Sequence, residues 1–393
     1  MAKVQKAAVK RRSRSRTRKK ADYYDYNLLA AVILLICFGL IMLYSASYYE
    51  AFQKIDGDDM YYFRKQGLIS LAAVAGAVII SKINYHWFAK FAGAIYALSL
   101  VLMGMVRLTP LGVTVNGSRR WLKLGIQFQP SEIAKIAVIL FIPVVIIKMG
   151  KQIKSFKAVF LLLLIGGMQA LGAKVFTDNL STALIILGIA CVLVYLAHPK
   201  NAPFIIAVVA AGILIGIGVT IIASNVDATS GFRIRRVLTW LNPEGNLEDG
   251  GFQVIQGLYA IGSGGFFGKG LGNSEQKLST IPEAQNDMIF SIICEELGVF
   301  GAILILLMFG YLLYRLFFIA QNAPDLYGSL VVSGIFAHIA LQVILNICVV
   351  LNLIPTTGIT LPFISYGGTS VLFLMVEMGV ALSVSRRIKF SQQ

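Results

Sequence analysis

Charge is scarce in this 393-residue chain: 14% of residues are charged, 19 are acidic and 3 are histidine. A soluble chain of that length would suggest roughly two or three domains. The composition excludes that class, because 57% of residues are hydrophobic and several apolar runs reach the ~18 to 20 residues needed to cross a bilayer. Cysteine is nearly as rare. Cys37, Cys191, Cys294 and Cys348 all fall in apolar segments and none forms a CxxC pair, so they read as small buried hydrophobes, not disulfides or metal ligands. A convincing cleavable signal is also missing. The long basic region and the apolar run from Leu28 to Leu43 read as a retained first helix.

What the chain does have is positive charge, +16 in all, unevenly spread. Ten Lys and Arg lie within the first 20 residues, without interleaved aromatics and just before an apolar run. That pattern speaks against nucleic-acid binding and for a disordered cytoplasmic tail (1–25) that fixes orientation and touches anionic lipid.

Apolar runs predict ten spans in an all-α polytopic membrane domain, 26–388, with a short tail at 389–393. The first five lie near 27–47, 66–83, 87–106, 131–148 and 156–173. The others lie near 180–197, 203–223, 287–318, 327–352 and 364–385. The connections alternate in charge. Lys82, Lys90, Lys148, Lys151, Lys154, Lys157, Lys200, Arg315, Arg386, Arg387 and Lys389 fall on one side, and Glu50, Asp56, Asp58 and Asp59 on the other. The positive-inside rule then puts both termini in the cytoplasm. The long loop from about Ser224 to Asp287 lies outside, which excludes ATP as its natural ligand.

The third connection breaks the charge pattern. Arg107, Arg119, Arg120 and Lys123 sit on the outer side, within a stretch that reads NGSRRWLKLGIQFQPSEIAK from Asn116. Positive charge there points to a bound anion. The stretch ends in Gln129-Pro130-Ser131-Glu132, a helix start with Pro and a capping hydroxyl. An outward helix N-terminus beside Arg120 and Lys123 suits a diphosphate. Glu132 and Lys135 share a helix face, and a structural ion pair is the plainer reading. Asp178 either caps the sixth span or lines the same cavity. His338, Gln342 and Asn346, spaced by four, form a polar stripe at membrane depth that must face protein or water, and Glu377 raises the same question.

Within the long loop, Gly262 to Gly272 is not a phosphate-binding loop: Ser263 and Gly270 stand where GxxxxGK[ST] requires glycine and Ser or Thr. Its glycines suit close backbone approach to a ligand or to neighbouring helices. Phe232 to Leu241 mixes cations with apolar residues and reads as a helix along the outer interface. Pro282-Glu283-Ala284-Gln285-Asn286-Asp287 leads into the next span and places a carboxylate where a wet loop meets the membrane.

Three motifs, NGSRRWLKLGIQFQPSEIAK, GKGLGNSEQKLSTIPEAQNDMIFSIICEELG and PTTGITLPFISYGGTS, resemble those of the SEDS family (shape, elongation, division and sporulation) in order and spacing. The resemblance covers nearly the whole chain from Tyr26, and the residues before Pro-Glu-Ala favour its cell-division or sporulation branch over its rod-elongation branch. Thr280-Ile281 and Gln285-Asn286 depart from the aromatic and the His-Thr or Gln-Thr usual there. The resemblance implies a peptidoglycan glycosyltransferase of the bacterial cytoplasmic membrane, acting at the division septum. It would polymerise lipid II beside a class B penicillin-binding protein and other division proteins. It also implies that Asp287 is the essential loop aspartate, that Arg120 is the arginine before tryptophan, and that Gln129 to Glu132 form the helix start. Lys123, Lys135, Asp178 and Ser365 complete the substrate-binding candidates.

The residues suit that chemistry. A sugar hydroxyl must attack an anomeric carbon and expel a lipid diphosphate, so a positioned carboxylate base helps. The leaving diphosphate needs positive charge, not a proton donor, so one carboxylate suffices. Arg120, Lys123 or a divalent cation would supply that charge; no other cofactor is called for. A single displacement inverts the anomeric centre. A lipid II flippase and a non-catalytic scaffold are the rival classes. Transport favours ionisable groups through the membrane depth, whereas the sequence places them toward the outer face.

Overall fold

The computed structural model describes residues 23–389, except 56, 116, 201, 226–231, 279, 280 and 283. Most of the predicted basic tail, most of the closing tail, Asp56 and Glu283 therefore lie outside the described residues.

Ten apolar helices occupy the ten predicted runs. The first seven are α1 Tyr26–Lys54, α2 Tyr61–Lys82, α3 Tyr85–Leu108, α4 Pro130–Met149, α5 Phe156–Thr177, α6 Leu180–Ala197 and α7 Ala202–Asn225. Two shorter helices follow in the long loop, α8 Phe232–Leu241 and α9 Phe252–Ser263. The last three are α10 Ile289–Asn322, α11 Leu326–Val350 and α12 Ser370–Ser385. Among the described residues nine helices are long and apolar enough to cross a bilayer; α12, at 16 residues, is shorter. Its predicted start, near 364, is overturned: left-handed backbone at Phe363 and Gly368 keeps that stretch irregular until Ser370.

The all-α expectation needs one amendment. The third connection folds into an antiparallel sheet of β1 Gly112–Val115, β2 Ser118–Leu124 and β3 Ile126–Phe128, in the order β1-β2-β3. The β-branched run Val113-Thr114-Val115 suits a strand, and Gly117 and Gly125 take the positive φ that the two turns require.

Hydrophobic drive between helices is weak in lipid, so close packing must hold the spans together. Small residues allow it. At Gly379 in α12 an added Cβ would lie 2.9 Å from the Ala77 carbonyl of α2, so these two backbones nearly touch. α4 and α11 are the most buried spans and carry the bundle's centre. α7 is the outlier, with little of its described length buried, though the ring of Phe204 meets Tyr195 edge-on. Cys294 is buried as expected, but Cys37 and Cys191 are exposed. Lipid accepts a thiol as readily as a protein core does, so apolar surroundings did not distinguish the two.

One lock closes the end of the bundle where the chain enters. Asp25 is fully buried, caps α1 by accepting from Leu28 N at 2.9 Å, and pairs with Arg315 of α10 at 2.7 Å. Packing thus reaches at least to Tyr23, which falls inside the predicted 1–25 tail and whose hydroxyl accepts from the same guanidinium at 2.6 Å.

Candidate active site

Asp287 lies in a turn at the foot of α10, partly exposed. The N-cap of α10 is Met288, and that helix end carries no side-chain cap bond. Two elements fix the turn. Asn346 of α11 donates to the Asp287 carbonyl at 2.9 Å and to Ile359 O at 2.7 Å. Tyr366 N donates to Gln285 O at 2.9 Å. The Asp287 carboxylate faces Gly358, where an added Cβ would come within 3.7 Å of Oδ2.

Residues 351–369, which include nearly all of the third motif (355–370), thus form the hub of this end. Their carbonyls receive Trp240 Nε1 of α8 (Asn352 O, 2.9 Å), Arg236 (Thr356 O, 3.1 Å) and Ser181 of α6 (Thr357 O, 2.6 Å). Thr369 Oγ1 donates to Gln127 O of β3 at 3.5 Å, which links the hub to the sheet. Irregular backbone is tolerated at this depth because side chains of neighbouring helices satisfy its carbonyls. Ser365 is buried and closes a turn inside the hub, its Oγ accepting from Leu361 N at 2.8 Å. It holds the hub's shape.

The start of α4 differs from the expected cap. Gln129 occupies the N-cap with no side-chain cap bond, and its Nε2 instead donates to Ser131 Oγ at 2.9 Å. Ser131 is buried and spends its hydroxyl on Gln129. The first turn is partly closed by its own backbone, since Pro130 has no N–H and Glu132 N donates to Gln129 O at 3.1 Å. Glu132 and Lys135 form the ion pair, at 2.9 Å and almost fully buried. Lys135 also donates to Gln342 Oε1 at 3.3 Å, and Gln342 Nε2 to Thr360 O at 3.0 Å. His338 joins Gln342 at 2.9 Å and Glu377 of α12 at 2.8 Å. Of the two surroundings open to the polar stripe, protein or water, it faces protein. The expected clustering of ionisable groups at one face does not hold, since His338 and Glu377 sit about half-way along their helices. Helix-to-helix contacts that sequence periodicity does not report brought them together.

On β2, Leu122 is fully buried, Arg120 half-buried and Lys123 exposed; Arg120 is the extra residue of a β-bulge, since Val113 pairs with Trp121 and Thr114 with Arg119. Arg120 is therefore the less accessible of these two candidate cations. Burial lowers the Arg120 pKa while the Asp178 carboxylate opposes that shift. Arg120 Nε is buried without a hydrogen-bond partner among the described residues. Asp178 does not cap the sixth span. It ends α5 in left-handed backbone, and Asn179 caps α6 by accepting from Thr182 N at 3.0 Å.

Sequence reading missed a pair of buried carboxylates. Glu295 and Glu296, side by side in α10, are both fully buried. Glu295 receives Lys269 Nζ at 2.9 Å and the backbone N–H groups of Glu275 and Gln276, and it also accepts from the Ser274 hydroxyl. Glu296 takes Lys277 Nζ at 2.6 Å and Ser45 Oγ of α1 at 2.7 Å. Between them they clamp the glycine-rich loop onto α10. Gly298 takes φ 66° within α10, and the carbonyls of Glu295 and Glu296 receive Lys269 N and Gly270 N, both at 2.9 Å. At Gly268, φ 78°, an added Cβ would lie 2.1 Å from Glu296 O. Close backbone approach, one reading of these glycines, is what they provide. The missed signal was two adjacent acids in an otherwise apolar run, which only buried partners can explain.

The fold and these polar contacts define a multi-pass helical membrane protein that carries a loop-covered polar site at one end of its bundle. The profile of the cell cycle proteins FtsW, RodA and SpoVE matches residues 26–389, and the chain belongs to that family. It is 38% identical over 367 residues to stage V sporulation protein E of Bacillus subtilis, covering 93% of this chain and 98% of that one. It is 35% identical over 369 residues to the probable peptidoglycan glycosyltransferase FtsW of Trichlorobacter lovleyi, covering 94% of each. A solved structure described as "Structural coordination of polymerization and crosslinking by a peptidoglycan synthase complex" superposes with a TM-score of 0.76 at 27% identity, covering 93% of this chain and 98% of that one.

Proposed function

We propose that this protein is a peptidoglycan glycosyltransferase of the bacterial cytoplasmic membrane that polymerises lipid II, with Asp287 as general base. The observation that carries the reading is the mooring of Asp287. Its backbone is held by Asn346 and its carboxylate is turned toward the hub, which also ties the Arg120-bearing sheet to the same end. The carboxylate accepts the proton of the acceptor sugar hydroxyl as that oxygen attacks the anomeric carbon. Arg120 neutralises the departing diphosphate, and the more exposed Lys123 steers it from outside. A divalent cation at the diphosphate would supply the same charge. The buried Glu132, Lys135, Gln342, His338 and Glu377 set the positions of α4, α11 and α12 beneath the site, without touching substrate.

In this reading the Asp287 end faces outward, both termini are cytoplasmic, and the protein works at the division septum. A class B penicillin-binding protein docks on the lipid-facing sides of α10 and α11, where Phe300, Leu307 and Ile344 are exposed, and other division proteins join them. Sporulation is the second reading for the process served, favoured by the 38% identity to stage V sporulation protein E.

The test is Asp287→Asn, assayed with labelled lipid II beside the cognate transpeptidase. Because Met288 is the cap, Asn leaves the helix start intact. Polymerisation falls by about a hundredfold or more while expression and lipid II binding persist. Near-native polymerisation by a well-folded Asn variant ends the general-base assignment.

A further inference from the structure

At the end of the bundle opposite Asp287, three distant stretches converge on a concavity of about 710 Å³. Lys82 and His86 come from the α2–α3 turn, and Asn322 and Asp325 from the α10–α11 turn. Arg386, Arg387 and Lys389 follow α12. Its single lining carboxylate is already committed: Asp325 caps α11 through Gly328 N at 2.8 Å, meets His86 Nε2 at 2.9 Å, and accepts from the Tyr85 hydroxyl. Lys82, Arg386 and Lys389 are exposed and, among the described residues, reach no carboxylate at ion-pair distance. Arg387 is held in place, donating to Ser383 O at 3.0 Å with its guanidinium 5.6 Å from the Tyr85 ring centre.

The positive-inside rule alone predicts basic residues scattered over this end, such as Lys148, Lys151 and Lys154 on the α4–α5 connection. It does not predict cations from three stretches facing one hollow. The level of that hollow is marked by Trp87, 57% exposed one residue beyond His86, since exposed Trp favours the headgroup zone. We propose that this concavity binds the phosphate of an anionic lipid headgroup, pinning the α2–α3 turn, the α10–α11 turn and the chain end together. Guanidinium and ammonium groups around one hollow suit phosphate oxygens.

The experiment reads lipid adducts by native mass spectrometry on full-length protein, from nanodiscs of phosphatidylglycerol or of phosphatidylcholine, with inorganic pyrophosphate as a soluble competitor. Wild type retains phosphatidylglycerol in preference. The Lys82→Gln/Arg386→Gln/Lys389→Gln variant, altered only at exposed positions, loses at least tenfold of that retention, each cation being worth about fivefold near the surface. The Lys148→Gln/Lys151→Gln/Lys154→Gln control stays within about twofold, since those lysines do not line this hollow. Displacement of the retained lipid by excess pyrophosphate supports phosphate recognition, the preference for phosphatidylglycerol supports the lipid as its source, and retention undiminished by pyrophosphate counts against the proposal. Equal losses in both triple variants, equal retention of the two lipids by wild type, or pyrophosphate binding without a lipid preference overturns the proposal.

Discussion

Lys277→Met strands a charge. Glu296 is fully buried, its carboxylate 2.6 Å from Lys277 Nζ, and the variant leaves it the Ser45 hydroxyl alone among the partners described above. Breaking a buried pair from one side costs about 3–5 kcal/mol, because the remaining carboxylate must stay dry without a counter-charge. At 1.4 kcal/mol per tenfold, the ratio of docked to undocked loop falls by about two to three and a half orders of magnitude. Hydrogen exchange of the 274–277 amides reads that ratio directly: Lys277 N donates to Ser274 Oγ, and Glu275 N and Gln276 N donate to Glu295. Exchange there should accelerate by a comparable factor, while amides of α4 and α11 hold. Adding Glu296→Gln removes the stranded charge and should restore most of the protection. Exchange within twofold of native in Lys277→Met, or a double variant no better than the single one, would refute the clamp.

Arg120→Ala should lower polymerisation more than Lys123→Ala, because Arg120 faces inward beside Asp178 whereas Lys123 faces solvent; equal losses across a lipid II titration would contradict that ranking. Gly268→Ala should undock the same loop, since its φ of 78° costs an L residue about 1–3 kcal/mol and its Cβ would strike Glu296 O at 2.1 Å. Gly262→Ala, with nothing within 4 Å of an added Cβ, is the control and should exchange like native protein.

The ten apolar runs and the helix at Phe232–Leu241 were written in the sequence, because length and hydropathy alone decide whether a segment prefers lipid. The ion pair of Glu132 with Lys135 was equally legible, being a contact within one helix turn. Even the sheet had left a sign, Asn116-Gly117 between alternating residues, which is a strong hairpin signal. Contacts between distant segments were another matter. That Glu296 would meet Lys277 and Ser45, that His338 would meet Glu377, and that Asn346 would hold the backbone of Asp287 depended on which faces of which helices met. Pattern also could not tell a lipid-facing thiol at Cys37 from a buried one at Cys294, since both surroundings are apolar. Nor could spacing reveal that Arg120 would stand half-buried at a β-bulge while Lys123 stays exposed, since the bulge is set by how β2 pairs with β1. Composition determined that this chain lives in a membrane. Packing decided which of its few polar groups stand at the site and which hold the bundle closed, because in lipid each buried polar group must find its partner in another part of the protein.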